Sequence, residues 1–190
     1  FNPGSSLGAV GNWELIGAVV VNTFLASAAG GIATMFYTYF SYGKIDITMV
    51  INGILAGLVS ITAGCNVVGP ISAIFIGLIA GLLVDLAVLF FDKIKVDDPV
   101  GAVAVHGVNG FFGTVAVGFF AAEGGLLFGG GVALLITQLI GVVTIGLFSF
   151  SITFILMKLL KSTIGIRISR EEEEAGIDSV SFGVKSYTNE

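Results

Sequence analysis

The amino-acid sequence predicts an all-α integral membrane protein, and three observations carry that prediction. Hydrophobic residues make up 55% of the 190 and charged residues only 11%. The mean hydropathy is +1.03, well beyond what a soluble core of this size requires. Five runs, uncharged except for Asp85 in the third, are each close to the length of about 20 residues that a helix needs to cross a hydrocarbon core. If those five runs alternate in direction, every Lys and Arg falls on one side.

The runs cover 15–40, 47–65, 70–91, 100–121 and 132–157. They are separated by Tyr42-Gly43-Lys44, Gly64-Cys65-Asn66, Asp97-Asp98-Pro99 and Gly124-Gly125, all of which are loop-forming or helix-ending sequences. The chain therefore divides into an extracellular lead-in at 1–14, five transmembrane helices within 15–157, and a cytoplasmic tail at 158–190. The orientation comes from the basic residues. Lys44, Lys93, Lys95 and the tail residues Lys158, Lys161, Arg167, Arg170 and Lys185 share one face, and the opposite face carries Glu14 and Glu123 with no positive charge. The positive-inside bias then puts the lysine loops and the C-terminus in the cytoplasm of a multi-pass cell-membrane protein.

Glycine occurs 28 times. Pairs such as Gly53 with Gly57 and Gly77 with Gly81 put small residues on one helix face, where backbones can approach closely in a lipid environment that offers no hydrophobic drive. The net charge of −5 comes largely from the run Glu171 to Glu174, so it describes the tail and leaves no basic surface for nucleic acid. Cys65 is the single cysteine, which excludes an intrachain disulfide and a cysteine metal cluster.

The fourth run carries the chemistry. Asp97, Asp98 and Pro99 read as a structural helix start, with carboxylates near the positive end of the helix dipole. His106, the only histidine, lies in a stretch free of charge from Pro99 to Ala122 and is followed by Gly107, Gly110 and Gly113. The residues alone leave two readings open, a hydrogen-bonded structural histidine and a residue on a pathway, and the cost of a polar ring at membrane depth favours the second. No second histidine, nucleophile-and-base pattern or ligand spacing accompanies it, so neither an enzyme site nor a metal or cofactor is expected. Asp85 interrupts the third run about two turns before Lys93, and pairing or snorkelling at the cytoplasmic edge is expected of it ahead of a cation site.

The stretch Asp97-Asp98-Pro99-Val100-Gly101-Ala102-Val103-Ala104-Val105-His106-Gly107-Val108-Asn109-Gly110 resembles the signature of the ammonium transporter family, which is related to the Rhesus proteins. Phe1 to Ser5, Ile61 to Cys65 and Glu173 to Asp178 resemble further segments of that family in the same order. The resemblance implies an eleven-helix fold whose first ten helices form two inverted five-helix repeats. This chain would be the second repeat plus the final helix, with residues 1–14 comprising the end of a pore helix and an extracellular loop. The first half would lie outside it.

Carried over by residue, the resemblance makes His106 one of two pore histidines and Phe1 one of two stacked phenylalanines at an outer gate. Ser5 becomes a hydroxyl that helps to recruit ammonium, and Thr62 and Leu55 become residues of the pore lining. It implies transport of ammonium or ammonia, with methylammonium as analogue, across a lipid bilayer by a homotrimer, for nitrogen uptake. It also implies docking of a PII-type regulatory protein near the tail. Two departures stand out: Gly101 replaces a carboxylate found in some relatives, and Phe182-Gly183 replaces a common His-Gly. An ammonium sensor that signals through its tail and a Rhesus-type channel for neutral gas are the alternatives, the second being disfavoured by the Phe1 gate and the Ser5 vestibule.

Overall fold

The computed structural model describes residues 1–8 and 10–183, all of whose regular structure is helical. A 3₁₀ turn at Pro3–Ser6 leads to α1 (Trp13–Tyr42), α2 (Ile47–Thr62) and α3 (Pro70–Lys93). A π-helical segment at Val103–Val108 runs directly into α4 (Asn109–Phe120), and α5 covers Ala133–Thr163. Two short helices follow, α6 (Arg170–Ala175) and α7 (Ile177–Ser181). Residues 1–144 form one compact unit and residues 145–190 another.

In the first unit α1 is the central helix and packs against both α2 and α3, while α2 also contacts α4. Its buried face is made of Val19, Asn22, Ala26, Ala29, Gly30, Ala33, Thr34 and Thr38, mostly small or hydroxyl side chains. The two glycine pairs meet that face. A Cβ on Gly57 or Gly77 would stand on the Ala26 backbone, one on Gly81 on the Gly30 carbonyl, and one on Gly53 on the Thr34 side chain. These contacts let three helices touch backbone to backbone, as small residues allow in membrane bundles.

Helix ends follow the local chemistry. Asp46 caps α2, its carboxylate accepting from the Thr48 and Met49 amides at 2.9 and 3.2 Å. Pro70 opens α3 at a position where its missing N–H costs nothing, and Gly43 ends α1 in the left-handed conformation. Among the described residues four helices are long and apolar enough to cross a membrane: Trp13–Tyr42, Pro70–Lys93, Val103–Phe120 and Ala133–Thr163. The helix α2 has 16 residues, which gives it a length of about 24 Å against a hydrocarbon core of roughly 30 Å. Its apolar run continues beyond Thr62, but the backbone leaves the helix there through turns such as Gly64 N–H to Ile61 O and Val67 N–H to Gly64 O. Asn22 anchors this turn by donating to the Cys65 and Val68 carbonyls at 3.0 and 2.8 Å.

Asp85 departs from the sequence-based expectation. It neither snorkels nor pairs with Lys93. It is 1% exposed, and neither carboxylate oxygen has a hydrogen-bond partner. Gly77, Gly81 and Asp85 recur every four residues, so the carboxyl belongs to the same stripe of α3 that is pressed onto α1.

In the second unit, Ser169 and Glu172 form a reciprocal capping box at the start of α6. Hydrogen bonds from the Ser169 amide and hydroxyl hold the Glu172 carboxyl below its ordinary value. This support is present at neutral pH and is lost as pH falls through the depressed value. Ion pairs Arg167–Glu173 and Arg170–Glu174, both 2.8 Å, lie in the open and contribute little each. Part of the acidic tail is therefore helical.

Replacing Gly77 by Ala should lower the stability of the full-length protein by about 1–3 kcal/mol through overpacking against the Ala26 backbone. Thermal unfolding in detergent or bilayers reads this, and an unchanged midpoint would contradict the backbone contact.

Candidate functional site

A cleft of about 470 Å³, open on one side, is lined by Phe1, Asn2, Pro3, Val20, Thr23, Phe24, Leu55, Leu58, Val59, Thr62 and His106. It brings together four of the residues that the sequence singled out: Phe1, Leu55, Thr62 and His106. Ser5 is not among them. It borders a second, smaller recess of about 190 Å³ with Ser6, Leu15, Val19, Cys65 and Asn66, and the two cavities share Asn2 and Thr62.

His106 is exposed in this chain, as are Phe1 at 94% and Leu55 at 39%. The sequence left a structural histidine and a pathway residue open; this chain supplies one wall of a groove, with the ring on it. That wall is largely aliphatic and aromatic, and its polar groups are mostly engaged. The Thr62 hydroxyl donates to the Leu58 carbonyl at 2.7 Å, and Thr23 donates to Val19 at 2.6 Å. Ser5 donates to the Phe1 carbonyl at 3.2 Å. Buried Asn2 donates to the Thr23 hydroxyl at 3.1 Å, tying the turn that carries Phe1 to the middle helix.

His106 belongs to the π-helical segment, a conformation that adds a residue to one turn and recurs at functional sites. Its start is held by Asp98, whose carboxylate accepts from the Val103 amide at 3.0 and 3.1 Å and from the Ala104 amide at 3.1 Å. Asp98 is thus the cap. Asp97 is exposed, and Pro99 lies in the turn that precedes the helix. Gly101 has φ +72°, a left-handed conformation that suits glycine, and a Cβ there would meet the Asn52 side chain.

The far end of the segment is held by Asn109, which is fully buried. Its side-chain amide donates to the Ala104 carbonyl at 3.0 Å, five residues back, and so occupies a carbonyl in the widened turn. The Ser60 hydroxyl on α2 bonds to the Asn109 main-chain and side-chain oxygens at 3.1 and 3.2 Å. The contact is close because Gly113 sits directly on the Ser60 backbone. Sequence reasoning missed Asn2, Ser60 and Asn109; for Ser60 and Asn109 a polar residue within an apolar run, four residues from Gly64 and Gly113, was the available signal, and for Asn2 there was none. Among the described residues no group of three or more His, Cys, Asp or Glu could hold a metal ion.

Comparison with known proteins assigns this architecture. The model of the Ammonium Transporter Family matches residues 1–187. Ammonium transporter Amt2 of Archaeoglobus fulgidus is 39% identical over 202 aligned residues, covering 100% of this chain and 42% of its own length. Amt2 of Methanocaldococcus jannaschii is 38% identical over 192 residues, covering 100% of this chain and 43% of its own. Among solved structures, one described as Sensor Amt Protein superposes with a TM-score of 0.85 at 38% identity, covering 95% of this chain and 44% of that one. Mep2 of Candida albicans superposes with a TM-score of 0.77 at 28% identity over 83% of this chain and 38% of that one. The chain spans less than half the length of these relatives and aligns with a C-terminal half.

Changing Asn109 to Leu strips the Ala104 carbonyl of its side-chain donor, leaves the Ser60 hydroxyl only the main-chain oxygen, and should cost about 1–3 kcal/mol. Because the same bonds hold the turn bearing His106, any activity that depends on that ring should fall further than with Ser60→Ala. Thermal unfolding and flux measured side by side test this; full stability and activity in Asn109→Leu would refute the positioning role.

Proposed function

Since the chain belongs to the ammonium transporter family, we propose that it is the C-terminal half of a membrane transporter that recruits ammonium at an outer vestibule, removes its proton and conducts ammonia past His106. The observation that carries this reading is the single cleft shared by Phe1, Leu55, Thr62 and His106.

The physical case rests on the character of that cleft. Moving a bare ammonium ion into a low-dielectric bore costs roughly tens of kcal/mol by Born estimates, which a few contacts cannot return. The ion must therefore be held at the mouth and then deprotonated. Phe1 offers a ring face worth about 1–2 kcal/mol to a desolvated cation, and Ser5 offers a hydroxyl oxygen in the adjoining recess. Beyond them the aliphatic Val20, Leu55, Leu58 and Val59 offer an ion nothing, while a small neutral amine loses little in entering. His106 then supplies a ring nitrogen that can accept or donate one hydrogen bond as ammonia passes. Potassium shares the vestibule's attractions but cannot shed a proton.

In this reading the first half of the transporter supplies the facing wall, the second gate phenylalanine and the second pore histidine. The lysine loops and the C-terminus face the cytoplasm, the intact protein is a homotrimer, and the tail lies near the docking surface for a PII-type protein. A second reading is an ammonium sensor that signals through its tail, favoured by the similarity to the Sensor Amt Protein structure.

Full-length protein in liposomes should move ammonium and methylammonium. His106→Ala should change the rate, or the preference over potassium, by about tenfold or more, the effect of about 1.4 kcal/mol at the barrier. Negligible flux in the wild type, together with ligand-dependent binding of a partner to the tail, would favour the sensor. Robust flux indifferent to His106 would overturn the proposed conduction mechanism.

A further inference from the structure

Among the described residues of the first unit, Asp85 is the buried residue of charged type, and nothing in the conduction reading uses it. Its carboxyl is sealed between α3 and α1, with neither oxygen exposed or hydrogen-bonded. A partner from outside the bundle cannot reach it without parting these helices. An ionised carboxylate in that condition would be left with neither donor nor counter-charge, a state that proteins avoid.

The surroundings decide what satisfies it. The Thr34 hydroxyl borders the carboxyl, but a hydroxyl has one proton, and that of Thr34 goes to the Gly81 carbonyl at 3.0 Å. Thr38, one turn further along α1, spends its proton on the Thr34 and Met35 carbonyls at 2.9 and 3.2 Å. The titratable groups that face Asp85 are Tyr42 from the end of α1 and Asp46 from the cap of α2. Neither is a cation. His106, on the segment that packs against α3 from the other direction, lines the cleft instead, and Lys93 on α3 itself is exposed.

Space along this stripe is short. One turn away, Gly81 touches Gly30 and Ala33 so closely that a methyl group does not fit. A proton takes no volume. It also reverses the mismatch, since a protonated carboxyl becomes a donor and Thr34 still has an oxygen lone pair to accept from it. We propose that Asp85 is an internal proton-binding site, carrying its proton in the assembled bundle and donating it to Thr34 in a relay that ends on the Gly81 carbonyl. The site lies apart from the cleft and does not depend on the conduction reading.

Infrared spectroscopy of the full-length protein in bilayers at neutral pH tests this directly. A protonated-carboxyl C=O band should be present in the wild type and lost in Asp85→Asn. In Thr34→Val, where the acid keeps its proton but loses its acceptor, that band should move to higher frequency. Sodium or potassium exchange should leave it unchanged. Thermal unfolding gives an independent reading: ionisation opposes burial, so Asp85→Asn should match the wild type in mild acid and exceed it increasingly as pH rises. If neither Asp85→Asn nor Thr34→Val alters a protonated-carboxyl band, the proposal is wrong. A carboxylate band that responds to sodium or potassium would mark a cation site and overturn it equally.

Discussion

Close backbone contact along α1 is the constraint on which the rest of the structure depends. In lipid there is no hydrophobic force to press helices together, so affinity must come from packing and from hydrogen bonds made at short range. Gly53 and Gly57 on α2 and Gly77 and Gly81 on α3 reduce the spacing until Ala26 and Gly30 of α1 meet neighbouring backbone. At that distance short polar side chains become useful. Thr34 reaches the Gly81 carbonyl, and Asn22 reaches the turn after α2. The same proximity seals Asp85 from any outside partner.

The close packing extends to the cleft. Gly113 brings α4 onto the Ser60 backbone, and Ser60 with Asn109 then stabilises a turn that an ordinary α-helix would not contain. Asp98 secures the other end of that turn. His106 lies between these two anchorages, so the orientation of its ring is inherited from bonds made several residues away. A groove assembled in this way is firm on the side this chain provides. Under the proposed conduction reading, such a wall need not be ordered anew at each passage.

Much of the fold was legible because hydropathy and glycine spacing report directly on lipid and on helix contact. The runs that became α1, α3, α4 and α5 stand out by length alone, and both glycine pairs point to the face that meets α1. The end of α2 was less legible: the residues after Thr62 remain apolar, and only turn bonds made after folding distinguish them from helix. The π-helical turn was invisible for a similar reason. Its extra residue barely disturbs periodicity, and the bond that stabilises it runs from Asn109 to Ala104 with support from Ser60, 49 positions away. Asp85 was misread because a charge in an apolar run suggests an escape to water, whereas its four-residue spacing from Gly81 and Gly77 put it on the packed stripe. Of the candidate site, family resemblance named Phe1, Leu55, Thr62 and His106, which line one cleft, and Ser5, which lies in the adjoining recess; the polar residues that support them were given no role by it.

The central claim is that the cleft joining Phe1 to His106 is the substrate path. Leu55 lies on its wall, half-exposed at 39% and outside the buried core, so a bulky side chain there fills the groove without disturbing the helix contacts. Methylammonium flux through full-length Leu55→Trp protein in liposomes is the direct measurement. The account predicts that flux is lost while the unfolding midpoint stays at the wild-type value; undiminished flux through a blocked cleft would contradict it.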